Sequence, residues 1–343
     1  MTKRVSIYDI AVATGLSHTT VNQALRGSDC VKPETKAFIL ETAKRMGYHR
    51  NYLASTLRTG ESKHIALITP HSSRTFQHND FANILQKQLN KKGYEMVLYP
   101  SLTPTNGDAI FERILKNFYD GVVTFLFSYA QFAPFADAFQ QRHCPVAIMG
   151  IPEDAPPSPG VIPFHVHNLE CIREVMEHLY SLGHRHILHA IPRGGQDGPQ
   201  NRVYLQFMQE KGLSVRQEDC IYDSIGSDLE TGFVYAEKLL RDCPQVTALQ
   251  CPSDAFAWGL IRCFKDHGVR VPEDVSVIGS GFSNICNYTL PRLASIEVGE
   301  SNAVPELVDA LLACRKAKNW EEPPQEFYLK AQFHPGESIT TAP

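Results

Sequence analysis

A histidine, a threonine and a glutamine at positions 18, 19 and 23 are the first side chains in this 343-residue sequence whose types and spacing point to a chemistry. They share one short stretch, HTTVNQAL at 18–25. With Val21 and the Ala24/Leu25 pair turned inward, a helical period leaves His18, Thr19, Asn22 and Gln23 outward on its N-terminal half. Such side chains hydrogen-bond base edges in the major groove of DNA, where a glutamine can make two bonds to adenine. The neighbouring residues predict the elements that must hold them. A first helix spans about 7–13, with Ser6 as N-cap, Asp9 three residues on, and Ile7, Ile10 and Ala11 on one face. Gly15 makes the turn, Leu16 packs beneath it, and Ser17 caps the second helix. Residues 26–32 form a loop, and Pro33 suits the first turn of a third helix. Phe38, Ile39, Ala43 and Met46 then close a three-helix core. This is a helix-turn-helix layout, whose second helix lies in the major groove; small three-helix units also serve as interaction modules.

Charge favours the nucleic-acid reading. Residues 1–60 hold nine Lys and Arg against four Asp and Glu, a net of +5, whereas the whole chain is −4. The remaining residues therefore carry about −9, a distribution that offers phosphate one basic segment and repels it elsewhere.

Other chemistries find less support. The nine cysteines are scattered and never form CxxC, which fits reduced thiols in a cytoplasm better than a disulfide framework or zinc site. His165 and His167 could share a strand face near His184, His186 and His189, yet no carboxylate or cysteine ligand shares their spacing. Gly194–Gly195 lacks a P-loop or GxGxxG context. No nucleophile–base set appears, so no enzyme is expected and no cofactor. There is no 18-residue apolar run and no charged-then-apolar leader pattern, so a cytoplasmic protein away from membranes is expected.

From residue 64 onward, short apolar runs alternate with amphipathic stretches. HIALIT (64–69), YEMVLY (94–99), GVVTFLF (121–127), VAIM (146–149), HILHA (186–190), ALQC (248–251) and VSVIG (275–279) read as strands. Helices are predicted near 80–92, 108–118, 131–142, 169–182, 229–241 and 254–267. Such alternation implies parallel sheets with helices on both faces. PEDAPPSPG at 152–160 interrupts it and is read as a crossover between two lobes.

VSIYDIAVATGLSHTTVNQAL at 5–25, VKPETKAFILETAKRMGY at 31–48 and Asn51-x-x-Ala54-x-x-Leu57 closely resemble the lactose repressor (LacI/GalR) family of bacterial transcription regulators. LGHRHI at 182–187, VPEDVSVIG at 271–279 and Pro291-x-Leu293 extend the resemblance almost to the end of the chain. It implies an all-α helix-turn-helix headpiece (1–49), a hinge helix or linker (50–62), and an α/β periplasmic-binding-protein-like core of two doubly wound parallel-sheet lobes. The first lobe is expected at 63–160 and 293–321, the second at 161–292 and 322–343, with later crossovers near Pro291–Leu293 and near 321–324. The implied function is that of a sequence-specific DNA-binding repressor, a homodimer with a tetramer left open, bound to a pseudo-palindromic double-stranded operator. A small molecule between the lobes, a sugar or derivative, would modulate it. A free-standing sugar-binding protein and an effector-independent DNA-binding protein are the alternatives.

Carried over by position, His18, Thr19 and Gln23 read bases, while Tyr8, Ser17, Thr20, Asn22, Arg26 and Thr35 contact phosphates. Asn51, Ala54 and Leu57 form the hinge segment, with Leu57 as a minor-groove wedge that kinks the duplex. Asn22–Gln23 departs from the family's usual Ser-Arg, so the operator should differ from its commonest half-sites. Arg50 replaces the usual hinge proline, losing a φ restraint and adding charge. Ligands of doubly wound lobes bind at the carboxyl ends of strands, which points to Pro70, Phe76, Ser128, Ser253, Asp254, Gly281 and Phe282, with Gln200 or Arg202 at a helix start. Here too the chain departs from the family. Gln200 holds an arginine position, Gly281 an aspartate position, and Val166–His167 replace an acid. Lacking charge-assisted hydrogen bonds to hydroxyls, the pocket is expected to favour an anionic or less hydroxylated ligand, or to use other residues.

Overall fold

The computed structural model describes residues 5–25, 28–48, 60–70, 76–102, 106–125, 129–151, 156, 158–214, 216–224, 226–317, 319–320 and 325–343. The chain divides into two units, Met1–Ser62 and Lys63–Pro343.

In the first unit, α1 (Ile7–Thr14), α2 (His18–Leu25) and α3 (Pro33–Arg45) surround a core of Ile10, Val21, Ala24, Val31, Ile39 and Ala43. Ser6 and Asp9 form a reciprocal capping box at the start of α1. Gly15 ends that helix in the left-handed region at φ 69°, where its N–H reaches Ala11 O; a glycine takes this conformation without the Cβ penalty. Ser17 Oγ accepts the Thr20 N–H at 3.1 Å and so caps α2. One expectation fails: Phe38 is 49% exposed. Ile39, Thr42 and Ala43 carry the buried face of α3 instead, at the i, i+3, i+4 spacing from which Phe38 is rotated by about 100°.

The second unit contains two sheets. The first has six parallel strands, β1 (His64–Pro70), β2 (Glu95–Leu102), β3 (Gly121–Phe125), β4 (Val146–Met149), β5 (Val161–His167) and a late strand at Phe327–Lys330, in the order late strand–β5–β4–β3–β1–β2. Helices α4 (Phe76–Lys91), α5 (Gly107–Leu115) and α6 (Ala136–Gln141) connect its earlier strands. Apolar side chains are buried on both faces of this sheet, as a doubly covered parallel sheet requires.

After α7 (Leu169–Ser181), the second sheet opens with β6 (Ile187–His189), followed by β7 (Ile191–Pro192), α8 (Pro199–Glu210), α9 (Gln217–Cys220), β8 (Ile221–Tyr222), α10 (Leu229–Asp242), β9 (Ala248–Gln250), α11 (Asp254–Asp266), β10 (Ser276–Ser280) and β11 (Ala294–Glu297). Then come α12 (Val304–Lys316), the late strand β12 (Phe327–Lys330) and β13 (Gln332–His334). The sheet order is β13–β11–β10–β9–β6, with only β13 antiparallel to its neighbour, and β7 pairs separately with β8.

The crossovers differ from expectation. The chain stays in the first sheet beyond 152–160, because β5 pairs with β4 from Val146↔Val161 onward and with β12. That turn-rich stretch is therefore part of a β4–β5 connection, and the lobes exchange after His167. The return does not fall at Pro291–Leu293, since β11 still belongs to the second sheet; it comes between Glu297 and α12, which packs on α4, β3 and β4. Residues 321–324 lie outside the described residues, but β12 beyond them is still in the first sheet, so the last crossing is at Ala331.

Candidate functional site

On the headpiece, the N-terminal half of α2 is open. His18, Asn22 and Gln23 are half-buried, and Thr19 is exposed. Tyr8, 68% exposed on α1, stacks on the His18 ring with centroids 4.3 Å apart and planes at 21°. The Ser17 and Thr20 hydroxyls lie 2.8 Å apart, and Thr35 is half-buried in the first turn of α3. The fold therefore gathers Tyr8, Ser17, His18, Thr19 and Thr20 at the Ser17-capped N-terminal end of α2, where the helix dipole favours anions, with Asn22 and Gln23 one turn further on. Arg26 and the hinge residues Asn51, Ala54 and Leu57 lie outside the described residues, as does Arg50.

In the core, the carboxyl ends of the parallel strands carry most of the expected ligand positions. Pro70 closes β1 and Phe76 opens α4; Ser128 lies outside the described residues. Gln200 and Arg202 are both exposed on α8, and Arg202 Nη1 donates to Asp197 O at 2.7 Å. Asn201, between them, is the buried member and donates through Nδ2 to Gln196 O at 2.7 Å.

Ser253 and Asp254 are bound within the protein itself. Ser253 caps α11 by accepting the Phe256 N–H at 3.0 Å and donates to Ser227 O. Asp254 is buried, its Oδ2 accepting both the N–H and the hydroxyl of Ser283 at 2.8 Å and its Oδ1 the Ser295 hydroxyl at 2.6 Å. Burial pushes its carboxyl above the usual range, and these serine donors oppose that rise. Asp254 thus anchors the loop after β10, whereas Ser253 ties the start of α11 to Ser227.

That loop has an unusual backbone. Gly281 sits at φ 113° and donates to Ile296 O at 2.7 Å. Phe282, a bulky residue, is held at φ 45°, a conformation that costs energy and gathers at ligand clamps. Its N–H reaches Ser295 Oγ at 3.0 Å, and its ring lies flat on His334, centroids 3.8 Å apart at 6°. His334 Nε2 is 2.7 Å from Glu297 Oε2, and Glu297 Oε1 accepts from Asn302 Nδ2 at 2.7 Å. The loop is thereby tied to two of the crossover segments. Across to the first lobe, the Asn284 N–H approaches Asp80 Oδ2 on α4 at 3.5 Å. Nothing in the linear sequence marked Asn201, His334 or Glu297.

The remaining histidines and cysteines have structural surroundings. His184 lies between Thr247 Oγ1 and Thr340 O, each at 3.0 Å, and burial lowers its pKa. His165 Nδ1 meets Ile151 O at 3.0 Å. Burial pushes the Cys144 and Cys286 thiols up to about 12, far from a thiolate at neutral pH.

The profile of the family described as bacterial regulatory proteins, lacI family, matches residues 6–51, and that of a periplasmic binding protein-like domain matches residues 176–339. The HTH-type transcriptional regulator DegA of Bacillus subtilis is 26% identical over 302 residues, covering 85% of this chain and 86% of its own length. Among solved structures, the lac repressor dimer bound to operator and the anti-inducer ONPF has a TM-score of 0.79 at 18% identity, covering 98% of this chain and 100% of that one. A complex of the transcriptional regulator CelR with cellobiose gives 0.67 at 20% identity, with coverage of 98% and 100%.

Proposed function

We propose that the chain is a DNA-binding transcription regulator of the LacI family, and that it acts as a repressor. It binds a pseudo-palindromic operator as a homodimer, and a carbohydrate or derivative in the core cleft modulates that grip. The observation that carries this reading is one chain holding both a helix-turn-helix unit, with the N-terminal half of its second helix open, and a two-sheet binding core. His18, Thr19 and Gln23 read base edges, with the Tyr8 stack holding the His18 ring in a fixed orientation. Tyr8, Ser17, Thr20, Asn22, Arg26 and Thr35 take phosphates, which position the headpiece without specifying sequence. Asn51, Ala54 and Leu57 supply the minor-groove segment.

The carbohydrate class draws on the similarity to CelR, which binds cellobiose. Within the core, Pro70, Phe76, Ser128, Gln200 and the 281–282 loop border the ligand, Asp254 positions that loop through Ser283, and Ser253 caps α11 beside it. Ligand contact at the 281–283 loop would act on the crossovers through Phe282, His334 and Glu297, a coupling between two sites worth about 1–3 kcal/mol.

The test is selection from fragmented genomic DNA by the purified full-length chain at near-physiological salt. One inverted-repeat motif is the expected outcome, with half-sites unlike those read by family members that have Ser-Arg where this chain has Asn22–Gln23. Sequence-independent recovery would contradict the reading.

A further inference from the structure

On β5, His165 is 4% exposed and its two ring nitrogens meet different neighbours. Nδ1 stands 3.0 Å from Ile151 O. A carbonyl oxygen only accepts, so Nδ1 carries the hydrogen of that bond. In the neutral ring Nε2 is then a bare acceptor, and it is buried without a hydrogen-bond partner. The group it faces is the Glu326 carboxylate, half-exposed just before β12, with Oε2 3.7 Å away. Two acceptors at this separation offer each other no bond. A second proton on the ring makes Nε2 a donor and converts the same gap into a charge-assisted hydrogen bond.

The surrounding strands hold the two groups in place. The Tyr328 ring stacks on His165, centroids 4.9 Å apart at 26°, and its hydroxyl donates to Glu326 Oε2 at 2.7 Å. Among the described residues, the other titratable groups beside the pair are His167, whose ring meets Tyr328 edge-on at 4.9 Å, and Lys330, opposite His167 across the strands. β5 and β12 pair in parallel, with Tyr328 opposite His165. Beyond His167 the first of these strands leaves for the second lobe, and at Ala331 the other does the same. A bond between His165 and Glu326 therefore acts on two of the lobe crossings within a few residues of their start.

We propose that His165 and Glu326 form a proton-operated clasp between β5 and β12. Protonation of the imidazole closes it and stiffens the two crossings; loss of that proton opens it. Imidazole is the side chain whose charge ordinarily changes between pH 5 and 8. The clasp thus makes acidity a second signal to the core, one that needs no occupant of the cleft.

Hydrogen exchange on the full-length protein at about pH 5.5 and about pH 8, corrected for the intrinsic rate, reads the clasp directly. In the parent, the amides of 327–331 should exchange about fivefold slower or more at the lower pH, the scale of one hydrogen bond to a charged group at a half-exposed site. Glu326→Ala removes the acceptor and should give the fast rate at both pH values. Glu326→Gln supplies an amide N–H that donates to neutral Nε2, so it should give the slow rate at both. Both variants alter a half-exposed side chain and leave the core intact. No pH difference in the parent, a difference that Glu326→Ala retains, or two variants that behave alike would overturn the proposal. Affinity for a selected operator should change with pH about fivefold more in the parent than in either variant; equal changes in all three would overturn the signalling role. Failure to select any operator would instead contradict the regulator reading, and the exchange result would still decide the clasp.

Discussion

Gln23 separates two kinds of contact that a headpiece makes. If it reads a base, Gln23→Ala relaxes preference at one operator position by about 1–3 kcal/mol and leaves the salt dependence of binding unchanged. A uniform loss across all sequences would place it on a phosphate. His189 makes a prediction of a different kind. Its folded pKa of about 4 lies below the ordinary 6.5, so between those values the unfolded chain binds a proton that the folded chain refuses. Stability is therefore full above pH 6.5 and falls as pH drops toward 4, by about 3 kcal/mol for a shift of this size. The lowered pKa of His184 acts in the same direction. Melting followed from pH 7 to 5 should show a shallower fall for His189→Phe than for the parent; equal slopes would contradict the buried neutral ring. At this scale the headpiece was legible, because Ser6, Gly15 and Ser17 act on neighbours within a few residues. The cleft was less so: that Asn201 is buried while Gln200 and Arg202 face solvent depends on how α8 rotates against its sheet, which no local spacing records.

Among the elements, α10 and α11 make the most extensive helix pair, and two glycines explain how. A Cβ on Gly259 would stand 1.8 Å from Leu229 O, and one on Gly232 would stand 2.0 Å from Phe256 O. The two helices thus touch backbone to backbone. Gly259→Ala must push them apart, costing more than about 2 kcal/mol, which a urea midpoint would register. A change below about 0.5 kcal/mol would contradict the close approach. Most strands and helices were readable because short apolar runs and amphipathic stretches alternate so regularly. The crossovers were not. PEDAPPSPG has the composition of a lobe linker yet belongs to the connection between two adjacent parallel strands. The true exchanges, after His167, before α12 and at Ala331, carry no turn signal of comparable strength, because they are set by which sheet a strand joins.

For the whole molecule, the proposed function puts DNA contact on the basic first unit and ligand contact on the second, acidic one. Leu57→Ala should therefore weaken operator binding while leaving ligand affinity and the oligomeric state as in the parent, read by anisotropy, calorimetry and sedimentation. Unchanged operator affinity would remove the wedge role from Leu57. The most direct measurement of the central claim compares affinity for a selected inverted-repeat fragment with that for a scrambled fragment of equal length, at one near-physiological salt concentration. A sequence-reading regulator should prefer the selected fragment by at least ~10³-fold, and a small molecule bound by the core should change that ratio. Near-equal affinities that collapse together as salt rises would show binding by phosphate charge alone and contradict the account.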